Sequence, residues 1–225
     1  MGNSDRLDPG VRGLVGLSAA LAAADAGARR EALRVAGRHA SRAEVEEVLL
    51  QAHLFVGFPI VLNAFGVWRE MTAEGAGSSR GDAAAPPGGD GAHDSAAAGE
   101  ALCRAVYGRS YERLRRNLGR LHAALDRWIV EDGYGRTLSR PGLSVETREL
   151  CIVALLAAGG HEAQLRAHLR GALNVGAAAE HVEAALGIGI ETARPAGGRG
   201  AEPDRLWKMW AEAGSRVEKR SCSST

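Results

Sequence analysis

Aromatic residues are scarce in this chain, at 4% of the total. Strands draw on aromatic and β-branched side chains, so this scarcity, beside abundant alanine and glycine, argues against a sheet and for closely spaced helices. Cysteine is also rare: Cys103, Cys151 and Cys222 are the only three, and no two stand at C-x-x-C spacing. That spacing excludes a zinc knuckle and a local dithiol. An odd, scattered set suits a reducing cytoplasm better than a disulfide framework. Charge of either sign is not in excess, because 28 Lys and Arg face 27 Asp and Glu for a net +1. There is therefore no electrostatic case for a nucleic-acid partner. No stretch reads as long and uncharged enough to span a bilayer, and Met1 to Pro9 lacks the apolar run of a signal peptide. The expectation is a soluble, cytoplasmic protein with no membrane partner.

What is present fits a globular chain. Its 225 residues are 45% hydrophobic and 24% charged, enough for one large domain or two small ones. Residues 72–100 are dominated by Gly, Ala, Ser, Pro and Asp without apolar periodicity. Such a segment buries too little surface to offset its ordering entropy, and it reads as a flexible linker. It separates a front part, 1–71, from a back part, 101–214, and residues 215–225 read as a frayed tail.

Both parts carry helical patterning. In front, apolar residues recur at helical spacing from Val11 to Asp25, and Arg29 to Gly37 forms a second short helix. Ser41 and Glu44 make a capping box for a third, whose Val45, Val48, Leu49 and Ala52 share one face. A break at Gly57-Phe-Pro59 precedes another helix, Ile60 to Glu70. In the back part a helical stretch runs from Ala101 to Val130, and Thr137 to Leu143 is a turn. Ser144 caps a helix that Gly159-Gly160 stops, and helices over His161–Asn174 and Glu180–Ile190 follow. The segment VRGLVGLSAALAAAD (11–25) aligns with TRELCIVALLAAGGH (147–161). EALRVAGRHASRAEVEEVLL (31–50) aligns with HLRGALNVGAAAEHVEAAL (168–186) with one-residue slippage. Two copies of a helical hairpin with a following helix are expected.

The back part resembles the carboxymuconolactone decarboxylase and AhpD-like superfamily. The residues that carry the likeness are Tyr134-Gly135, Ser139-Arg-Pro-Gly-Leu143, Thr147-Arg-Glu-Leu150 and the run from Leu165 to Gly176. In front, Glu46 to Gln51 followed by Phe55-Val-Gly57-Phe-Pro59 is similar to the family's later segment. The resemblance implies an all-α fold and a homo-oligomer. It also implies a Glu and a His that relay protons, aligned with Glu149 and His168. The two thiols of AhpD-like members align with His161 and Gln164, so the basis for disulfide exchange is missing. In the front copy Gly13 and Ala32 stand where the Glu and His would be, and that copy reads as structural.

Helix geometry offers a separate argument for the same pair. Helices 144–158 and 161–174 join through a short turn and must run antiparallel. Glu149 and His168 then lie level, roughly 14 Å from the turn along each axis. A carboxylate that fixes the tautomer of a histidine makes a proton shuttle. Arg148 or Arg170 is available to anchor a substrate carboxylate. His161, Gln164 and His168 share a face at i, i+3 and i+7 and complete the candidate binding set, with His53 as an outlying member. His161 and His168 are about 10 Å apart along the axis, which disfavours a two-histidine metal site, and no cofactor is expected. Three functions compete: acid–base chemistry on a small carboxylated or lactone substrate, AhpD-like peroxidase activity, and a non-catalytic oligomeric binding module.

Overall fold

A computed structural model describes residues 6–75, 95–193 and 202–221, and no strand occurs among them. The front part forms α1 (Pro9–Ala23), α2 (Ala26–His39) and a long α3 (Arg42–Gly75). The starts of these helices follow from their caps. Asp8 accepts from the Gly10 amide, with Pro9 in the first turn, and Asp25 accepts from the Ala28 amide. The Ser41 amide donates to Glu44 at 2.8 Å, and the Glu44 amide donates back to Ser41 Oγ at 3.3 Å. Gly57, at φ 78°, kinks α3 two residues before Pro59.

The back part holds α4 (Ser95–Tyr107), a short 3-10 turn (Gly108–Ser110), α5 (Tyr111–Leu121) and α6 (Ala123–Trp128). After a wide helix (Ile129–Leu138) come α7 (Val145–Ala158), α8 (Glu162–Asn174), α9 (Ala179–Ala193) and α10 (Pro203–Ser221). The wide helix ends with i→i+5 bonding, the Ser139 amide donating to Tyr134 O. It packs on α4 backbone to backbone: a Cβ on Gly99 would overlap Val130 O, and one on Gly135 would overlap Ser95 O.

Helix α7 is the axis of the core. Every residue from Arg148 to Ala158 is buried, and α1, α8 and α9 pack around it. Burying its five large apolar side chains between Leu150 and Leu156 contributes about 1.5–3 kcal/mol each. The two halves match in spacing. Helices α7, α8 and α9 start 136, 136 and 137 residues after α1, α2 and α3, from Pro9 to Val145, Ala26 to Glu162 and Arg42 to Ala179.

Several boundaries differ from those read in the sequence. The stretch 101–130 is not one helix: Gly108, at φ 51°, and extended backbone at His122 divide it. Thr137 and Leu138 belong to the wide helix rather than to the following turn. Residues 72–75 and 95–100 are helical, which shortens the expected linker to 76–94, outside the described residues. Helix α10 carries the expected tail in helical form to Ser221. One segment also overturns the reading that nothing is long and apolar enough to cross a membrane. Over Arg42–Ala73 an 18-residue window reaches a mean hydropathy of 1.8, by length and composition alone, and 33% of that window is buried inside the fold.

A buried ionic clasp joins α3 to α7. The Arg148 guanidinium donates to Glu47 Oε2 at 2.8 Å, to Gln51 Oε1 at 3.2 Å and to Arg140 O at 2.8 Å. Arg140 takes the other Glu47 oxygen at 3.0 Å. Only 2% of the Arg148 side chain is exposed, so its charge depends on that carboxylate. Glu47→Ala leaves the guanidinium buried and unpaired, and we expect a loss of about 3–5 kcal/mol in urea unfolding. A loss below about 1 kcal/mol would show that water or another carboxylate replaces Glu47.

Candidate functional site

Helix α7 presents Glu149 and α8 presents His168 across the hairpin closed by Gly160, at φ 72°. The expected level placement is met: His168 Nδ1 lies 2.8 Å from Glu149 Oε2. The carboxylate accepts, so Nδ1–H donates, and Nε2 becomes the nitrogen free to exchange a proton. Both groups are buried, Glu149 at 2% and His168 at 5% exposure. Gly171 makes room for the carboxylate, because a Cβ there would stand 2.9 Å from Glu149 Oε2.

Residues outside the expected candidate set surround the pair. Tyr107, at the end of α4, turns its ring edge to His168 at 6.3 Å, and Phe55 of α3 does the same at 6.1 Å. Tyr134 of the wide helix meets Tyr107 edge-on at 6.0 Å, and the two phenols hydrogen-bond to each other. Burial pushes the Tyr107 hydroxyl up to about 12 against the opposing effect of that bond, and burial holds Tyr134 well above the usual phenol range. Both remain protonated donors at neutral pH. Cys103, one turn before Tyr107, is a buried free thiol. Its residue type was visible in the sequence, but nothing in its spacing tied it to Glu149.

The other expected members are dispersed. Arg148 neighbours Glu149 in sequence, yet its guanidinium belongs to the clasp with Glu47 and is not free to anchor a substrate. Arg170 is half-buried on another side of α8, where it lines a cleft. His161 and Gln164 are exposed, and the ring of His161 lies over Gly159. His53 has its Nδ1 at 2.5 Å from Leu50 O and stacks on Phe58 at 5.1 Å. From this stretch of α3, the structure thus places Phe55 rather than His53 against His168.

Two cavities flank these elements. The larger, about 1220 Å³, lies between α1, α2 and α9, away from the Glu–His pair. Gly13 and Ala32 are among its lining residues. The smaller, about 380 Å³, is lined by Val106, Tyr107 and Arg170 and touches the pair's surroundings through Tyr107. Neither is lined by Glu149 or His168. Arg12, Asp25, Glu31, His39 and Glu191 also line the larger cavity, but it is the smaller that meets the surroundings of the Glu149–His168 pair, through Tyr107.

Comparison with known proteins bears on the same region. Residues 125–197 match the carboxymuconolactone decarboxylase family, a span that includes Tyr134, Glu149 and His168. Over 162 residues the chain is 29% identical to a Schizosaccharomyces pombe protein named peroxisomal protein 2, covering 68% of this chain and 70% of that one. No solved structure matches.

The thiols generate a prediction. Burial, outweighing the neighbouring arginines, pushes both Cys103 and Cys151 from 9.0 up to about 12. At pH 8 about one in ten thousand of either is ionised. In a Cys222→Ser background we expect no reaction with a maleimide at pH 8 until the chain is unfolded. The raised values also set a sign. Their stabilising effect is complete below about pH 9 and fades as pH climbs toward 12, so alkaline melting should come earlier there. Rapid native labelling would contradict this.

Proposed function

We propose, from the membership of residues 125–197 in the carboxymuconolactone decarboxylase family, that this chain performs acid–base chemistry of the decarboxylase or lactone type on a small carboxylated substrate. The observation that carries this reading is the 2.8 Å contact of His168 Nδ1 with the buried Glu149. Glu149 is the positioning residue, fixing the orientation and tautomer of the ring. His168 delivers a proton through Nε2. In a decarboxylation the carbon–carboxyl bond breaks, CO₂ leaves, and the electron pair passes toward the conjugated carbonyl. One proton then replaces the carboxyl group, and solvent reprotonates His168. Tyr107 and Tyr134, protonated and hydrogen-bonded to each other, add neutral polarity beside the pair. Tyr107 borders both the smaller cleft and His168, and the proposed approach of substrate to the imidazole runs past its ring.

The AhpD-like alternative needs reactive thiols near the pair. Cys103 and Cys151 stand on different helices, and burial keeps both protonated, which favours the acid–base reading over it. The equal spacing of the two helix triplets supports a duplicated hairpin unit. Its front copy keeps the scaffold, with Gly13 and Ala32 opening space where the back copy holds Glu149 and His168. Assembly as a homo-oligomer is part of the proposal. It is supported by the exposed Phe58 and Leu62 of α3, each at 65% exposure.

With an unsaturated lactone acid as probe, His168→Gln should lower kcat/KM by about 10²–10⁴-fold while circular dichroism stays helical. Glu149→Gln should keep the hydrogen bond but alter the pH–rate profile. Undiminished turnover in the His168 variant would remove the mechanism and leave the binding-module reading. Leu62→Arg should lower the assembly mass in light scattering, and an unchanged mass would clear that face of a role.

A further inference from the structure

The larger hollow, about 1220 Å³, runs along the hairpin of α1 and α2 and is walled on a third side by α9. The chain from Pro9 to Ala24 lines it, a length of about 20 Å at the helical rise per residue.

Its volume has a cause in the sequence. At the spacing that relates the two helix triplets, Gly13, Gly16 and Ala20 of α1 correspond to Glu149, Ile152 and Leu156 of α7. Ala32 of α2 corresponds to His168 of α8, and Thr192 of α9 to Phe55 of α3. All five front-side and α9 residues line the hollow, and each is the smaller of its pair. A Cβ on Gly16 would meet no atom within 4 Å. Space that side chains fill beside the Glu149–His168 pair therefore stays open here.

Polarity in the hollow is sorted by depth. Arg12, Asp25, Glu31, His39 and Glu191 are all exposed, which places the charges at the mouth. Leu7, Leu17 and Ala20 are buried and Ile188 is half-buried, which makes the inner wall apolar. Thr192 supplies the sole hydroxyl of the lining, and it already donates to Ile188 O at 2.8 Å. An ion carried inside would lose its hydration without gaining a counter-ion, whereas an apolar body gains by leaving water. A protein partner would instead cover large apolar side chains exposed around the opening. Of the exposed large hydrophobics among the described residues, Val35 alone lies on this hollow. The volume exceeds the roughly 300–1,000 Å³ of ordinary ligand pockets, which suits a long molecule.

The geometry points to this hollow as a binding site for one uncharged, elongated apolar molecule of the long-chain alcohol or ester class. The site lies away from the Glu149–His168 pair, and binding there does not depend on the chemistry proposed above.

Titration of the full chain with the neutral fluorescent probe N-phenylnaphthylamine, followed by displacement with dodecanol, tests the assignment. Saturable one-to-one binding and competitive displacement are expected. Gly16→Phe and Ala32→Phe each project a ring into the hollow and should weaken binding about tenfold or more, with helical circular dichroism retained. Gly119→Phe, on α5, where a Cβ also meets nothing within 4 Å, should leave binding unchanged. So should His168→Gln, which separates this result from the fate of the proposed chemistry. Dodecanoate should displace the probe less well than dodecanol, because three carboxylates and one guanidinium stand at the mouth. No saturable binding, equal weakening by Gly119→Phe, or stronger displacement by dodecanoate would overturn the site. A fall in assembly mass on adding dodecanol would show that a second copy fills the hollow, and would overturn it as well.

Discussion

A positive charge inside a helical core has to be neutralised there, and that constraint organises this molecule. Arg148 lies on the central helix with almost none of its surface in water. Its partner Glu47 comes from 101 residues away, on a helix of the other half. Desolvating both ions is costly, and the hydrogen bonds to Gln51 and the Arg140 carbonyl offset part of that cost. Each half taken alone would leave an ion without the counterpart that the other half supplies. The clasp also fixes the rotation of α7 about its axis. With residue 148 turned to α3, residue 149 is turned toward α8, where His168 meets it.

The candidate chemistry is consequently embedded rather than laid on the surface. A buried carboxylate hydrogen-bonded to a buried imidazole holds the ring in one orientation, away from competing water. Tyr107, its hydroxyl pushed up to about 12 by burial, and Tyr134, held well above the usual phenol range, add polarity without adding charge at neutral pH. The Tyr107 ring that meets His168 also lines the smaller cleft.

Much of the architecture was legible from local rules. The Ser41–Glu44 capping box, the Ser144 cap and the Gly159-Gly160 stop rest on nearest-neighbour chemistry, and the helices begin and end where those residues ask. The Glu149–His168 contact followed from counting residues back from one tight turn. Other features rest on long-range encounters that spacing does not encode. An arginine is ordinarily a surface residue, and nothing near Arg148 in sequence announces a carboxylate 101 positions upstream. Tyr107 and Cys103 were hidden inside what read as one continuous helix. The left-handed backbone at Gly108 bends that path and lays the end of α4 over the site. The break read at Gly57-Phe-Pro59 is present: Gly57 has non-helical backbone, at φ 78° and ψ 166°, where two helical stretches of α3 meet across a kink.

Where α4 meets the wide helix, the main chains touch at Gly99 and Gly135 with no space for even a methyl group. Neither glycine has a reactive atom to offer. Yet each is the sole residue that fits, since any side chain would drive Tyr134 and Tyr107 apart. Two silent positions are thus as restricted as any proton donor in the protein. Their invariance in a set of related chains would record the separation of two backbones, and should not be mistaken for a mark of reactivity.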